Sequence, residues 1–141
     1  MPIRFGVKLE NKIPEMIRRM QKRSLDNLLG AAMVWHDEIV NGQLSGSRSG
    51  RKYRIPGTRR YYHASRPGEP PASRTGTLRS GYRFRVVDRG PWSTGEVGSP
   101  EDYALWLEKG TSKMAKRPHV EPAFDKREAD IKKELSRRWD R

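Results

Sequence analysis

The chain has 141 residues, 30 of them Lys or Arg against 17 Asp or Glu, a formal net charge of +13 and no cysteine. That length and a mean hydropathy of −0.97 allow a single domain, 1–141, with a small core, and the lack of cysteine excludes disulfides and thiolate metal sites. No stretch approaches the ~18 consecutive apolar residues of a membrane span, and the first residues lack an apolar signal core, so a soluble chain that is intracellular at synthesis is expected.

Residues 1–10 suit a short strand or an arm equally. A helix is predicted over 11–42, where Asn11 can cap, Pro14 falls in the first turn, and Ile13, Ile17, Met20, Leu28, Ala31, Trp35 and Ile39 recur at helical spacing. Met16, Leu25, Leu29, Met33 and Val40 widen the stripe. That width fits either a helix packed on two sides or one broad buried face.

From 43 to 76 the chain becomes an extended basic loop or hairpin. RKYRI and RRYYHAS flank Pro56, Gly57 and Thr58, which suits a short turn between two strands, and Tyr53, Tyr61 and Tyr62 interleave with the cations. Further on, Pro67, Pro70 and Pro71 fix φ and remove backbone donors, so this run must lie on a surface. Residues 43–74 have few aliphatic anchors and their cations repel one another, so they are expected to be mobile in a free subunit and ordered on assembly.

Residues 77–98 read as a β-meander. Leu78, Ser80, Tyr82, Phe84 and Val86 alternate with Arg79, Gly81, Arg83, Arg85 and Val87, Asp88 to Pro91 form a turn, and Trp92 to Gly98 return. A short helix is expected over 99–110, with Ser99 as cap and Gly110 just past its end. Tyr103, Leu105, Trp106 and Leu107 encircle so much of this helix that it should be wedged between elements. Pro122 opens the last helix, 121–139, with Phe124, Ile131, Leu135 and Trp139 as its stripe. The sum is an α+β fold.

The charge is concentrated. Between Ile39 and Val87 stand eleven basic residues and one acid, Glu69, a clustering that favours a polyanion. Arg48, Arg51, Lys52, Arg54, Arg59, Arg60, Arg66, Arg83 and Arg85 are the candidates to face nucleic acid. Catalysis finds no constellation. His36, Asp37 and Glu38 are adjacent and splay by about 100° around a helix, so they cannot converge on one ion. A tyrosine nucleophile at Tyr61 or Tyr62 rests only on abundant arginine. Neither a phosphate-binding glycine loop nor a nucleophile elbow occurs, so the chain reads as non-enzymatic, without metal or cofactor.

Three separated blocks, SRPGEPPASRTGTLRSG, YALWLEKGTSKM and RPHVEPAF, resemble in order and spacing the neck and tail-completion proteins of long-tailed phages, the minor tail components of the head-tail joining region. Pro67, Gly68, Pro70, Pro71, Thr75, Gly76 and Leu78 match the first block of that family. Tyr103, Ala104, Glu108, Gly110 and Thr111 match the second, and Arg117, Pro118, Pro122 and Ala123 the third, with His119 where the family usually has Phe. The resemblance covers roughly residues 61–124. It implies a structural virion protein forming a homo-oligomeric ring, a hexamer or dodecamer, in the neck after assembly in the host cytoplasm. Its implied neighbours are head-completion or connector proteins, tail-terminator or tail-tube proteins, and double-stranded genome DNA held without sequence preference; no membrane is implied. The rival readings are a stand-alone basic nucleic-acid-binding protein and, with no supporting constellation, a nuclease.

Overall fold

A computed structural model describes residues 13–89 and 92–137. Helix α1 spans Ile13–Asp37 and runs on into a π-helical turn, Glu38–Gln43. Strands β1 (Lys52–Arg54) and β2 (Tyr61–His63) follow, then a one-turn helix α2 (Thr77–Gly81), strands β3 (Arg83–Asp88) and β4 (Ser93–Gly98), helix α3 (Asp102–Lys109) and helix α4 (Val120–Leu135). The fold is α+β, with a long N-terminal helix, two separate two-stranded antiparallel ribbons, a short helix and a C-terminal helix.

While Met16, Leu29 and Met33 of the widened stripe stay exposed, the C-terminal half of α1 packs on two sides. One meets α4, where Trp35 sets its ring edge-on to Phe124 at 5.2 Å and donates its indole N–H to the Val120 carbonyl at 2.9 Å. The other meets the β3–β4 ribbon, where His36 lies 5.0 Å from the Phe84 ring and bonds the Tyr82 carbonyl at 3.1 Å. The core sits where the π turn meets both partners. Ile39, Leu44, Tyr82 and Ala123 are buried together, with Trp35, Val40, Leu78, Val97 and Val120 packed around them. Glu38, buried in the same turn, is satisfied by Lys126 at 2.9 Å and by the Gln43 amide at 3.2 Å, which ties the turn to α4.

The expected meander over 77–98 is only partly right. Arg83–Asp88 and Ser93–Gly98 do pair antiparallel, with Phe84 opposite Val97 and Val86 opposite Gly95, but 77–81 is helical. Leu78 and Tyr82 are four apart, a spacing that alternation and a helix turn share, so the pattern could not separate the two. Gly76 decides between them. At φ +79° it occupies the left-handed region, its carbonyl accepts from Ser80 N–H at 2.9 Å, and Thr75 Oγ1 lies 2.8 Å from Thr77 Oγ1. A Cβ at Gly76 would meet nothing within 4 Å, so only the backbone resists a side chain there. Gly76→Val is therefore expected to cost on the order of 1–3 kcal/mol, read as a lowered denaturation midpoint; an unchanged midpoint would mean that the turn yields freely.

Two further expectations are corrected at α3. The helix starts at Asp102 rather than at a Ser99 cap, and Ser99 Oγ instead accepts the Glu101 N–H at 3.2 Å in a turn that precedes the helix. Nor is α3 wedged on all sides. Ala104 is buried, but Leu105 and Trp106 are 58% and 55% exposed, because α3 lies at the surface and turns only one face inward. At the C-terminal helix, α4 begins two residues before Pro122 and ends at Leu135; of its stripe Ile131 is buried and Leu135 exposed. Asn11, the 1–10 segment, the Gly90-Pro91 part of the turn and Trp139 lie outside the described residues. Among the described residues no helix is long and apolar enough to cross a membrane.

Candidate nucleic-acid interface

The first ribbon carries the charge. Lys52 pairs with His63, Tyr53 with Tyr62 and Arg54 with Tyr61, and Pro56, Gly57 and Thr58 lie in the connecting turn as expected. Arg54 Nε donates to the Thr58 carbonyl at 2.9 Å across that turn, and Ile55 N–H to Arg60 O at 2.9 Å. Tyr53 and Tyr62 stack at 5.9 Å, and Lys52 Nζ lies 4.7 Å from the Tyr61 ring centre, so the aromatic rings space the cations along the ribbon. Arg51, Lys52, Arg54, Arg59 and Arg60 are all exposed, and no carboxylate occurs between Gly50 and Ala64. Exposed cations with no carboxylate beside them raise the local positive potential along the ribbon.

The other candidates are placed differently. Arg48 does not face outward. Its half-buried guanidinium donates to five carbonyls, those of Gln43, Ser45, Ser47, Pro70 and Pro71, with Pro70 at 2.8 Å and Ser45 at 3.0 Å. It joins the two ends of the loop at their root. Burial lowers the Arg48 pKa, an effect that Glu69 partly opposes. Arg85 is matched to its cross-strand partner Glu96 at 2.8 Å, and Arg83 turns back to the carbonyls of Ser80 and Tyr82. Arg66 is exposed beside Glu69, the one acid of the stretch. The Glu69 carboxylate accepts the Arg66 N–H at 2.9 Å and the Ser49 hydroxyl, and these bonds hold its pKa down at about 2.

The three sequence blocks meet in space. Gly68 N–H donates to Lys116 O at 3.1 Å, Arg117 Nη2 to Ser65 O at 3.3 Å and Arg117 N–H to Leu107 O at 2.6 Å. Gly110 ends α3 at φ +77°, its N–H on Trp106 O at 2.7 Å, and Thr111 bridges Met114 in the turn that follows. Glu108 then closes the junction. One carboxylate oxygen accepts His119 N–H at 2.7 Å and Val120 N–H at 3.0 Å, and the other accepts Glu121 N–H at 2.9 Å, so α3 supplies the cap that the first turn of α4 lacks in its own sequence.

Behind this cap lies a buried polar trio that spacing did not reveal. Tyr82 Oη is 2.6 Å from His119 Nε2, and His119 Nδ1 is 3.1 Å from Glu108 Oε2 and 3.2 Å from Arg117 O. The partners assign the tautomer: Tyr82 donates to Nε2, and Nδ1–H points to the two acceptors. Burial pushes the His119 pKa down, against opposing contributions from the Arg117 carbonyl and Glu108, and burial pushes the Tyr82 hydroxyl up. A hydroxyl, an imidazole and a carboxylate in line resemble a nucleophile system in composition only. His119 is fully buried and Tyr82 nearly so, and the trio forms a hydrogen-bonded polar link within the core. Among the described residues no cluster of three or more His, Asp or Glu is placed to hold a metal ion. Compared with protein-family models, curated proteins and solved structures, the chain finds no match.

Proposed function

We propose that the chain is a structural subunit of a long-tailed phage neck, assembling into a closed ring at the head-tail interface around the passing genome. The observation that carries the reading is an acid-free cationic ribbon on a body that leaves apolar side chains uncovered. Residues 14–22 of α1 are exposed throughout, Met16, Ile17 and Met20 among them, and Leu105 and Trp106 are exposed on α3. Uncovered aliphatic and aromatic groups on two helices suit a subunit completed by neighbours. The meeting of the three sequence blocks at one junction also supports the resemblance, since residues distant along the chain then serve one architectural purpose.

Mass in solution at physiological salt tests the reading directly. A ring of six or twelve copies is expected, with or without head or tail partners as a template; a monomer or dimer that binds nucleic acid tightly would replace it with the stand-alone binding protein, which the stacked Tyr53 and Tyr62 favour. Trp106→Ala separates folding from assembly. With its ring half exposed, the substitution should move subunit stability by no more than about 0.5 kcal/mol while reducing ring formation in sedimentation; a large loss of subunit stability would show that the ring is packed within the fold.

Contact with DNA should be weak and indifferent to sequence, as a channel that lets the genome slide requires. Binding is expected to vanish by ~0.5 M salt, and Arg54→Ala, Arg59→Ala and Arg60→Ala together should lower the salt slope by about three. Strong discrimination between duplex sequences in a titration would count against a channel lining.

A further inference from the structure

At the junction of the three blocks lies a cleft of about 300 Å³, to whose wall the ribbon contributes Tyr62. Its lining combines apolar Leu44, Pro71, Leu78 and Leu107 with cationic Arg74, Arg79 and Arg117. Among the described residues no carboxylate lines it. Arg117 is engaged by Ser65 O and Arg79 by Asn41 Oδ1 at 3.0 Å, each with donors to spare, whereas the exposed Arg74 side chain has no hydrogen bond or ion pair with the described residues. Ala72, Ser73 and Arg74 also line the cleft, and their backbone groups bond to no described residue, while the two prolines before them keep the segment out of a helix.

We propose that this cleft is a docking site for an extended acidic peptide segment of another protein, in which an aliphatic side chain enters between Leu78 and Leu107 beside a carboxylate held by Arg74 and Arg79. Each part of the cleft answers one part of such a ligand. Apolar walls take the side chain, guanidinium groups take the carboxylate in charge-assisted pairs, and the free backbone of 72–74 can exchange main-chain hydrogen bonds with an extended strand. Nucleic acid would use the guanidinium groups but gain nothing from the aliphatic walls or the free backbone. A second copy at +13 would bring like charge to a cationic rim, so charge complementarity selects an acidic partner. The inference stands apart from the ring reading, and either can fail alone.

The test selects a displayed library of random dodecapeptides on the immobilised full chain, with soluble Arg74→Glu/Arg79→Glu chain as competitor. Enriched peptides should place Asp or Glu next to an aliphatic residue. In fluorescence anisotropy a selected peptide should lose at least tenfold in affinity on Arg74→Glu/Arg79→Glu, and as much when its own acids become amides, but nothing on Arg54→Glu/Arg59→Glu in the ribbon. Amide resonances of Ala72 to Arg74 should shift on titration. Arg74→Glu alone, which breaks no contact of the fold, keeps the comparison valid if loss of the Arg79 bond to Asn41 disturbs folding. Failure to enrich acidic sequences, or equal binding to the variants, overturns the proposal. It is equally overturned if a duplex oligonucleotide displaces the peptide through Arg74, which makes the cleft a phosphate site, or if the double variant dissociates the chain's own oligomer, which makes the occupant a second copy.

Discussion

Glu108→Ala should destabilise the fold by roughly 3 to 4 kcal/mol, since one carboxylate satisfies three backbone N–H groups at the start of α4 and nothing nearby can replace it. Glu108→Gln keeps one acceptor oxygen and should fall between. Thermal denaturation reads the loss directly, and a midpoint unchanged in both variants would mean that water caps the helix as well as the carboxylate does. The dependence on pH is a second signature. Burial pushes the Glu108 carboxyl up, but the N–H groups of Val120, Glu121 and His119, together with the His119 ring, outweigh burial and hold it below the usual range. A carboxyl depressed in the folded state contributes stability that is complete above its unfolded value of about 4.3 and is lost as pH falls through the folded one. His119 acts higher on the scale. Burial keeps it neutral when folded, so the unfolded chain takes up its proton first, near pH 6.5, and stability declines as pH drops below that point. Denaturation midpoints followed from neutral to acid pH should therefore fall in two stages. Glu108→Gln should reduce the lower stage, to which the depressed Glu69 and Glu96 carboxyls also contribute, and His119→Phe should remove the upper; a wild-type profile flat down to about pH 4 would contradict the buried neutral imidazole.

Ile39→Ala should cost about as much, on the order of 3 to 4 kcal/mol, by a different route. Ile39 has no exposed surface and stands in a core cluster with Leu44, Tyr82 and Ala123. The π turn fixes its position, because Leu44 N–H donates to Ile39 O at 2.9 Å and folds Leu44 back over it. Neighbours held by such a turn cannot collapse into the vacancy, so the cavity term should persist. Since a domain of this size is stabilised by only about 5–15 kcal/mol, urea unfolding should begin at markedly lower concentration. Ile39→Val, which removes one methylene, should cost about 0.5–1.5 kcal/mol; equal losses in the two variants would locate the damage in the backbone turn rather than in packing.

The two kinds of structural information differ in how they are written along the chain. Local periodicity made α1 readable from Ile17, Leu28 and Trp35, the first ribbon from Pro56 and Gly57, and the end of α3 from Gly110. It failed at 77–81, where Leu78 and Tyr82 satisfy two periods at once and the deciding fact is the left-handed Gly76. Amphipathic counting also misjudged Trp106, because a short helix with aromatics around it looks the same whether its outer face meets its own chain or solvent. The candidate interface was legible as far as charge goes, in Arg51, Lys52, Arg54, Arg59 and Arg60, but Arg48 shows that a cation in a basic run can spend its donors on carbonyls. Glu108 and the Tyr82–His119 pair were beyond reach of spacing. Their partners are chosen by the tertiary approach of α3 to α4, for which sequence separation carries no signal.

Arg48 also determines how the ribbon can move. Its guanidinium clamps carbonyls from both limbs of the loop, Gln43 to Ser47 on one side and Pro70 with Pro71 on the other, so the root is held as a block while the tip, among the described residues, is braced by its own turn. Pro71 and Tyr62 belong at once to this lever and to the wall of the cleft. A pull on the tip by a polyanion would thus be transmitted past a stiff fulcrum into the cleft wall, and a peptide seated in the cleft would reset the resting angle of the arm. Compliance at the tip and leverage at the root would make the two surfaces a single mechanical element, with force rather than shared charge as the link between them.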